Sequence, residues 1–432
     1  NMMLAAPFIA YIGPFNSDFR NRLWENTWVP DLRGRAIPCS DELDPLSLLS
    51  DVATQATWKG EGLPSDRLSL ENASVITRCA RYPLIIDPQL QGINWIRGRE
   101  TPNGLVSCQQ SFKNYLELMS KAMEEGLPML LEKVGESFDA VMDPVLARAT
   151  IAKGRKIVLK LGDKEVDMLC NQDPETGMPS GGPLFRLYLQ TKLPNPHYIP
   201  EVQAQATLVN FTVTEKGLEE QLLAVVVSKE RPDLEEQRSE LVAQQNDFTI
   251  KLKSLEDGLL EMLATAEGDI TENEALIESL EEAKATSQDI NVKVAIGKET
   301  EVVIAKAREI YRPMGERGAL TFFLINQLHV ISHMYQFSLD TFNYMFLKAI
   351  DKTKKADSID ERSKNLMATI TYTIFAYVTR GLFERDRLIF ASQLGVRILS
   401  RRGELPPDEQ DFLIKSPRIM DPPERSEALA WL

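Results

Sequence analysis

Between residues 83 and 213, short apolar runs alternate with amphipathic stretches, and this alternation restricts the fold more than any other feature of the chain. The spacing predicts strands at 83–87, 104–108, 129–134, 184–191 and 208–213. Helices are expected between them, at 91–97, 111–125, 138–149 and 200–206. Five strands separated by helices need crossover connections, hence an α/β fold with a five-stranded parallel sheet covered on both faces. The first strand and the 184–191 strand are expected to be neighbours. Two further runs, 156–161 and 165–170, join through Gly162-Asp163 and read as a hairpin outside the sheet. Ligands of such sheets gather beyond the carboxyl ends of the strands, where Gly92, Glu132 and Thr191 fall.

Two of those strand ends have the layout of a nucleotide site. A P-loop reads G-x-x-x-x-G-K-[ST] between a strand and a helix. Here the apolar strand Tyr82-Pro-Leu-Ile-Ile-Asp87 leads into Pro88-Gln-Leu-Gln-Gly92-Ile93-Asn94. Asp87 stands at the first Gly, Gly92 at the second, Ile93 at the Lys and Asn94 at the Ser/Thr. A carboxylate thus faces the phosphate position, no ammonium reaches the phosphates, and no hydroxyl is placed for Mg²⁺. The second end, Leu127-Pro-Met-Leu-Leu131-Glu132-Lys133, lies where a Walker B strand ends in Asp-Glu. Glu132 can stand for the metal carboxylate, but Lys133 cannot polarise a water. The expectation is a P-loop NTPase-like fold with its chemistry removed, having no catalytic residue and no cofactor, and with a mechanical or structural task.

At 432 residues the chain is too long for one core, so two or three domains are expected. A net charge of -14 argues against nucleic acid and against an anionic membrane surface as partners. Cys39, Cys79, Cys108 and Cys170 form no C-x-x-C pair and read as reduced, buried thiols of a cytosolic protein. No run of 18 apolar residues marks a transmembrane helix. The start, apolar and without Met at its first position, reads as a cut from something larger, and the Pro- and charge-rich tail from Pro406 as a linker into a further domain.

The first 71 residues read as a helical and loop lead-in, with an apolar helix up to Ile12 closed by Gly13-Pro14 and a second helix from Ser17. The α/β region is expected over 72–214. Residues 215–312 change character: strands vanish and charge rises. Leu234, Leu241, Phe248, Leu255 and Met262 recur every seven residues, with Leu252 and Leu259 at matching positions. Arg231-Pro232 opens this helix. It breaks at Glu267-Gly268-Asp269-Ile270, and Thr271-x-x-Glu274 is a capping box that restarts a helix. Leu276, Leu280, Ala283, Ser287, Ile290, Val294 and Ile304 then recur at 3/4 spacing. The two runs read as an antiparallel coiled-coil hairpin projecting roughly 45–60 Å, at 1.5 Å per residue. Two surface helices of a bundle are the alternative, favoured by the polar Arg238 and Gln245 in the seam. Residues 313–432 carry aromatic and Met side chains at helical spacing and read as an all-α region with a packed core.

Other motifs carry less. His329 and His333 share a helical spacing but lack a third ligand, and the chain has only one other His, His197; no metal site is expected. Gly297-Lys298-Glu299-Thr300 lies inside the second helical arm. Gly62 to Ser69 fits P-loop spacing with no strand before it. The loop 171–183, with Gly177, Gly181 and Gly182, reads as a flexible insertion.

A family resemblance joins these pieces. Phe185-Arg-Leu-Tyr-Leu-Gln-Thr-Lys-Leu-Pro-Asn-Pro-His-Tyr198, Leu208-Val-Asn-Phe-Thr-Val-Thr214, Gly217-Leu-Glu-Glu-Gln-Leu-Leu223 and Glu230-Arg-Pro-Asp-Leu-Glu-Glu236 resemble the dynein heavy chain motor. So do Ser69-Leu-Glu-Asn-Ala73, Pro83-Leu-Ile-Ile-Asp-Pro-Gln89, Tyr311-Arg-Pro313, Met334-Tyr-Gln-Phe-Ser-Leu339 and Arg380-Gly-Leu-Phe-Glu384, in the same order. The resemblance covers nearly the whole chain, looks like the fifth AAA+ module of the hexameric ring, and is closer in wording to the axonemal type. It implies a module that binds no nucleotide, and a coiled-coil strut over 232–311 that props the microtubule-binding stalk. The seam would be Leu234, Leu241, Phe248, Leu252, Leu255, Leu259 and Met262, and the tip Glu267 to Ile270. It further implies ATP and Mg²⁺ in other modules of the parent chain, and a minus-end-directed microtubule motor in the cytoskeleton of a cilium or flagellum. Its partners would be the adjoining AAA+ modules and stalk, microtubules, and intermediate and light chains. The 171–183 loop is longer than the family's. An autonomous AAA+ ATPase with an unconventional P-loop and a coiled-coil scaffold remain the competing readings.

Overall fold

A computed structural model describes residues 2–410 apart from 41–42, 155, 173–178, 266–273, 357 and 407. It divides into two compact units, Asn1–Gly217 with Glu236–Ala305, and Leu218–Glu235 with Lys306–Leu432.

The first unit opens with α1 (Met2–Tyr11), α2 (Ser17–Leu23), α3 (Val29–Gly34), α4 (Pro45–Leu49), α5 (Val52–Gly60) and α6 (Arg67–Arg78). Asn16, Asp44, Asp51 and Asp66 start four of these, each side chain accepting from the amide three residues on. Then follow β1 (Tyr82–Ile86), α7 (Gln91–Glu100), β2 (Val106–Gln109), α8 (Tyr115–Glu125), β3 (Pro128–Glu132) and α9 (Asp143–Leu146). β4 (Thr150–Lys153), β5 (Lys156–Leu161), β6 (Lys164–Met168), β7 (Cys170–Gln172) and β8 (Pro179–Pro183) come next. β9 (Arg186–Thr191), α10 (Pro200–Gln205) and β10 (Ala206–Asn210) complete the sheet region.

The main sheet has the order β10-β1-β9-β3-β2 and is parallel throughout. β1 and β9 are neighbours, with Leu84 opposite Leu189, as expected. Successive residues of β1 enter opposite cores. Leu84 packs with Met119, Met123, Leu131 and Leu187 on one face, and Ile85 with Trp58, Ile93 and Trp95 on the other. The lead-in shares that second core, where Leu4, Phe8, Ile12 and Trp24 are buried with Val75 and Val209.

Gly13 lets the lead-in cross the edge strand. A Cβ there would sit 2.1 Å from the Leu208 carbonyl oxygen, while Asn210 N donates to Gly13 O at 2.9 Å. Beside it the buried Arg20 guanidinium donates to Gly13 O at 2.9 Å, Asn72 Oδ1 at 2.7 Å and Glu71 Oε2 at 3.2 Å. Asn72 donates in turn to Asn210 O at 2.7 Å. With Phe15 O, which accepts from Arg20 Nε at 2.9 Å, one cation with four acceptors in a dry site thus fastens α2, α6 and β10 together.

Several elements differ from the sequence reading. The helix expected over 138–149 is a short turn, Ala140–Met142, then α9 and an exposed strand, β4. Asp139 caps that turn, Pro144 fits only a first helical turn, and Arg148 at φ 53° closes the helix. The 156–170 hairpin is present and lies outside the main sheet, with β4 added as a third antiparallel strand. The 171–183 insertion is not all loop, since its ends pair as β7 and β8; its interior lies outside the described residues. The four thiols are free, but only Cys108 is buried; Cys39, Cys79 and Cys170 are partly exposed. His329 and His333 do not share a helix face, because the helix before them ends at Asn326 and His329 sits on a tighter turn, Gln327–Val330.

Three helices follow the sheet: α11 (Glu215–Glu230), α12 (Pro232–Thr265) and α13 (Glu274–Glu309). At 34 and 36 residues, α12 and α13 are each about 50 Å long, at 1.5 Å per residue. Along α12 the half-buried positions include Leu234, Arg238, Leu241, Gln245, Phe248, Leu252 and Leu255, the 3/4 spacing of a seam. On α13, Ile290 and Ile304 are buried and Ser287, Val294 and Gly297 half-buried. Gln245 donates to Glu301 at 3.3 Å, and Leu241 and Gln245 lie over Gly297. The side chains of Leu259 and Met262, the break at Glu267 to Ile270 and the capping residue Thr271 fall outside the described residues.

The second unit contains α14 (Arg312–Asn326), α15 (Leu339–Lys352), α16 (Ile359–Gly381) and α17 (Glu384–Arg401). Its core sets Phe322 edge-on to Phe342 and stacks Phe375 on Phe390. Ion pairs fix its helix ends: Arg312 reaches Glu220 at 2.8 Å, Arg308 reaches Glu235 at 3.2 Å, and Arg362 clamps both oxygens of Glu230 at 2.7 and 3.1 Å. The buried Tyr335 hydroxyl donates to Asp386 at 2.5 Å and accepts from Phe383 N at 3.1 Å.

Candidate functional site

The carboxyl ends of β1, β9 and β3 lie side by side, and the turn from β1 into α7 forms a cradle of backbone amides. Leu90, at φ 62°, is left-handed and turns the following amides inward. Gly92 is required by contact. A Cβ there would lie 2.9 Å from the Phe211 ring, which closes the cradle from beyond β10.

The cradle holds the Asp87 carboxylate. Its Oδ1 accepts from Gln91 N at 3.0 Å and its Oδ2 from Ile93 N at 2.9 Å, and the group is fully buried. Burial is the main influence on this acid and raises its pKa from 3.8 to about 6, while the amides of Ile93, Gln91, Gly92 and Leu90 pull it down. The group is therefore mostly ionised at neutral pH. Ile93 is 1% exposed and packs into the core with Trp95 and Ile85. Asn94 is exposed.

At the end of β3, Glu132 accepts from the Arg97 guanidinium of α7 and from Ser107 Oγ at 2.6 Å. Both donors lie on the same oxygen of Glu132, and the Arg97 side chain that pairs with it is half exposed. Lys133 is exposed and left-handed, at φ 54°. Its amide donates to Gln190 Oε1 at 3.0 Å, and Gln190 Nε2 donates to Asp87 O at 3.0 Å. Gln190 is fully buried and ties the ends of β1 and β3 to its own strand, β9. Thr191 O accepts from Asp87 N at 3.0 Å, so Asp87, Gly92, Glu132 and Thr191 do gather at the strand ends.

Gln190, Arg97 and Phe211 complete the site, and sequence reasoning missed all three. Gln190 carried a signal: a polar residue inside the apolar run Leu187-Tyr-Leu-Gln-Thr191 must find buried partners. Among the described residues no group of three His, Cys, Asp or Glu is placed to hold a metal. The residues present do not fit a nucleoside triphosphate with Mg²⁺. The amides are taken by a carboxylate, the phosphate-binding lysine is a core isoleucine, and the acidic residue of β3 is neutralised by Arg97.

Residues 56–290 match the family described as the ATP-binding dynein motor region. The flagellar outer arm dynein beta chain of Chlamydomonas reinhardtii is 46% identical over 97% of this chain and 9% of its own length. Mouse dynein axonemal heavy chain 17 is 47% identical over 96% of this chain and 9% of its own length. The Chlamydomonas outer arm alpha chain is 39% identical over the whole of this chain and 11% of its own. The chain thus spans about a tenth of the length of the relatives it matches. It belongs to the dynein heavy chain family and lies in the motor region of that family.

Proposed function

We propose that this chain is the fifth AAA+ module of a dynein heavy chain, a ring module without ATP chemistry that passes ring movement to the microtubule-binding stalk through the α12–α13 hairpin. The observation that carries the reading is the Asp87 carboxylate seated on the Gln91 and Ile93 amides, with Ile93 in the core. Like charge repels a triphosphate from that position, and no lysine offsets the repulsion. The seam along α12, half-buried from Leu234 to Leu255, supports a self-paired strut. The parent protein is on this reading an ATP-driven, minus-end-directed microtubule motor, with ATP and Mg²⁺ bound in other modules. Its partners are the adjoining modules and stalk, microtubules, and intermediate and light chains. The names of its relatives, flagellar outer arm and axonemal chains, favour a cilium or flagellum axoneme. Calorimetric titration of ATP–Mg²⁺ into the folded segment tests the reading. No heat of binding is expected; a micromolar dissociation constant would return the module to the autonomous ATPases.

A further inference from the structure

The loss of a lysine explains why a P-loop is weak. It does not explain why a carboxylate should fill the loop. A site that merely decayed would be left with water or a neutral side chain on its amides. Here an acid lies fully buried at the amino end of a ten-residue helix, with both oxygens on backbone amides. Its main chain is held from both sides, by Thr191 O and by the Gln190 amide. Five residues further along α7 from Gly92, Arg97 holds Glu132, so that carboxylate too is paired with a charge of the chain's own. Burial raises the pKa of Asp87 to about 6, so ionised Asp87 is kept here against a solvation cost.

We infer that the cradle is still an anion site, whose resident anion is the chain's own Asp87 carboxylate, with Glu132 beside it paired to Arg97, so that the loop and the ends of β1, β3 and β9 are held permanently in their liganded arrangement. The inference rests on the reading of this module as one without nucleotide and deepens it: the module is locked rather than empty. Asp87, Gln190 and Arg97 are positioning residues in this arrangement. The ligand class follows from the amides: a small tetrahedral oxyanion takes the place of the carboxylate once that is removed.

The test is hydrogen exchange read by mass spectrometry on the 88–96 segment, in the full-length heavy chain, without nucleotide and with or without millimolar inorganic phosphate. In the wild type the segment is expected to exchange slowly and to ignore phosphate. In Asp87→Ala exchange should quicken at least about tenfold, since two charge-assisted hydrogen bonds are lost and either one accounts for that much, and phosphate should restore the slow rate. Asp87→Asn keeps the shape but turns one acceptor oxygen into a donor that faces a backbone N–H; it should exchange severalfold faster than wild type and stay insensitive to phosphate, because the amide still fills the space. Phosphate slowing the wild type would show a vacant cradle and overturn the inference. Quickening in Asp87→Ala that phosphate does not reverse would reduce Asp87 to an ordinary helix cap, and also overturns it. If Asp87→Ala does not fold, Asp87→Asn decides, since wild-type exchange there means that the paired acceptor oxygens have no part. ATP binding by the wild-type segment in calorimetry speaks instead against the reading on which the inference rests.

Discussion

The strand-end site and the α12–α13 pair are built to opposite standards. At the site Asp87 and Gln190 are fully buried, and Glu132, largely covered, is held by Arg97 and Ser107. Along α12 the seam is only half-buried, and it admits Arg238 and Gln245 among the leucines, with Gly297 opposite. Asp87 and Gln190, held on their partners in a dry site with only Arg97 and Ser107 at its exposed rim, have one arrangement and a high penalty for leaving it. A long helical pair with a polar, half-wet seam bends or shifts for little free energy. On the proposed reading the contrast gives constancy to the sheet and compliance to the arm, the division a module needs if it relays movement without making any.

Restoring the missing lysine attacks the fixed region hardest. Ile93→Lys looks like repair of the P-loop, yet position 93 is 1% exposed and faces Trp95 and Ile85. An ammonium there is an uncompensated buried charge, and roughly 3–5 kcal/mol of local stability should go. Native-state hydrogen exchange of the β1 and β9 amides should show it, with no ATP binding gained. A variant as protected as the wild type that binds ATP would mean the site is one substitution from function, and the contrast would fail.

Leu255→Pro attacks the arm. It removes a helical hydrogen bond and clashes with the preceding turn, about 3 kcal/mol locally. In the intact motor, basal ATP hydrolysis should persist while microtubule affinity stops following the nucleotide state. A bent hairpin that still switches affinity would rule out the lever.

The sheet was legible because buried parallel strands write themselves as apolar runs, and its five strands and the β1–β9 neighbourhood follow from them. The 138–149 stretch misled because its apolar residues have helical spacing, while Asp139, Pro144 and Arg148 cut it into turns. At the site, Asp87, Ile93 and Lys133 stood out because a wrong residue type at a fixed spacing needs no partner to be noticed. Gln190 and Arg97 act on groups brought close by the fold alone: Gln190 meets Lys133 and Asp87, which lie 57 and 103 positions away. The same limit hid the docking of the lead-in, where Arg20 finds Glu71 at a separation of 51. Two stretches that carried the family resemblance prove to be one joint, since Tyr335 of the first holds Phe383 of the second and the adjacent Asp386.

The pH dependence of the fixed region sharpens the contrast. Burial raises the Asp87 pKa from 3.8 to about 6, so between those values the folded protein holds a proton that the unfolded chain has released. The stability from this group is therefore full below pH 4 and declines as pH rises through 6, by at most about 3 kcal/mol at 1.36 kcal/mol per unit. Exchange-derived stability of β1 between pH 4 and 7 should show that slope, and Asp87→Asn should flatten it. An equal slope in the variant would place the titrating group elsewhere.

The smallest effect is expected in the arm. Gln245→Leu exchanges an exposed 3.3 Å hydrogen bond to Glu301 for apolar surface in a half-buried seam. An exposed side-chain bond of that kind contributes a few tenths of a kcal/mol, and partial burial of a leucine somewhat more, so α12 and α13 should gain roughly 0.5–1 kcal/mol. Slower exchange along 241–255 would report the gain. If the polar seam exists to keep the arm compliant, the stiffer variant should weaken the coupling between nucleotide state and microtubule affinity although its hairpin is more stable than the wild type. Stiffening with unchanged coupling would show that the arm works as a rigid rod, and that its half-buried, polar seam marks no difference in task from the sheet.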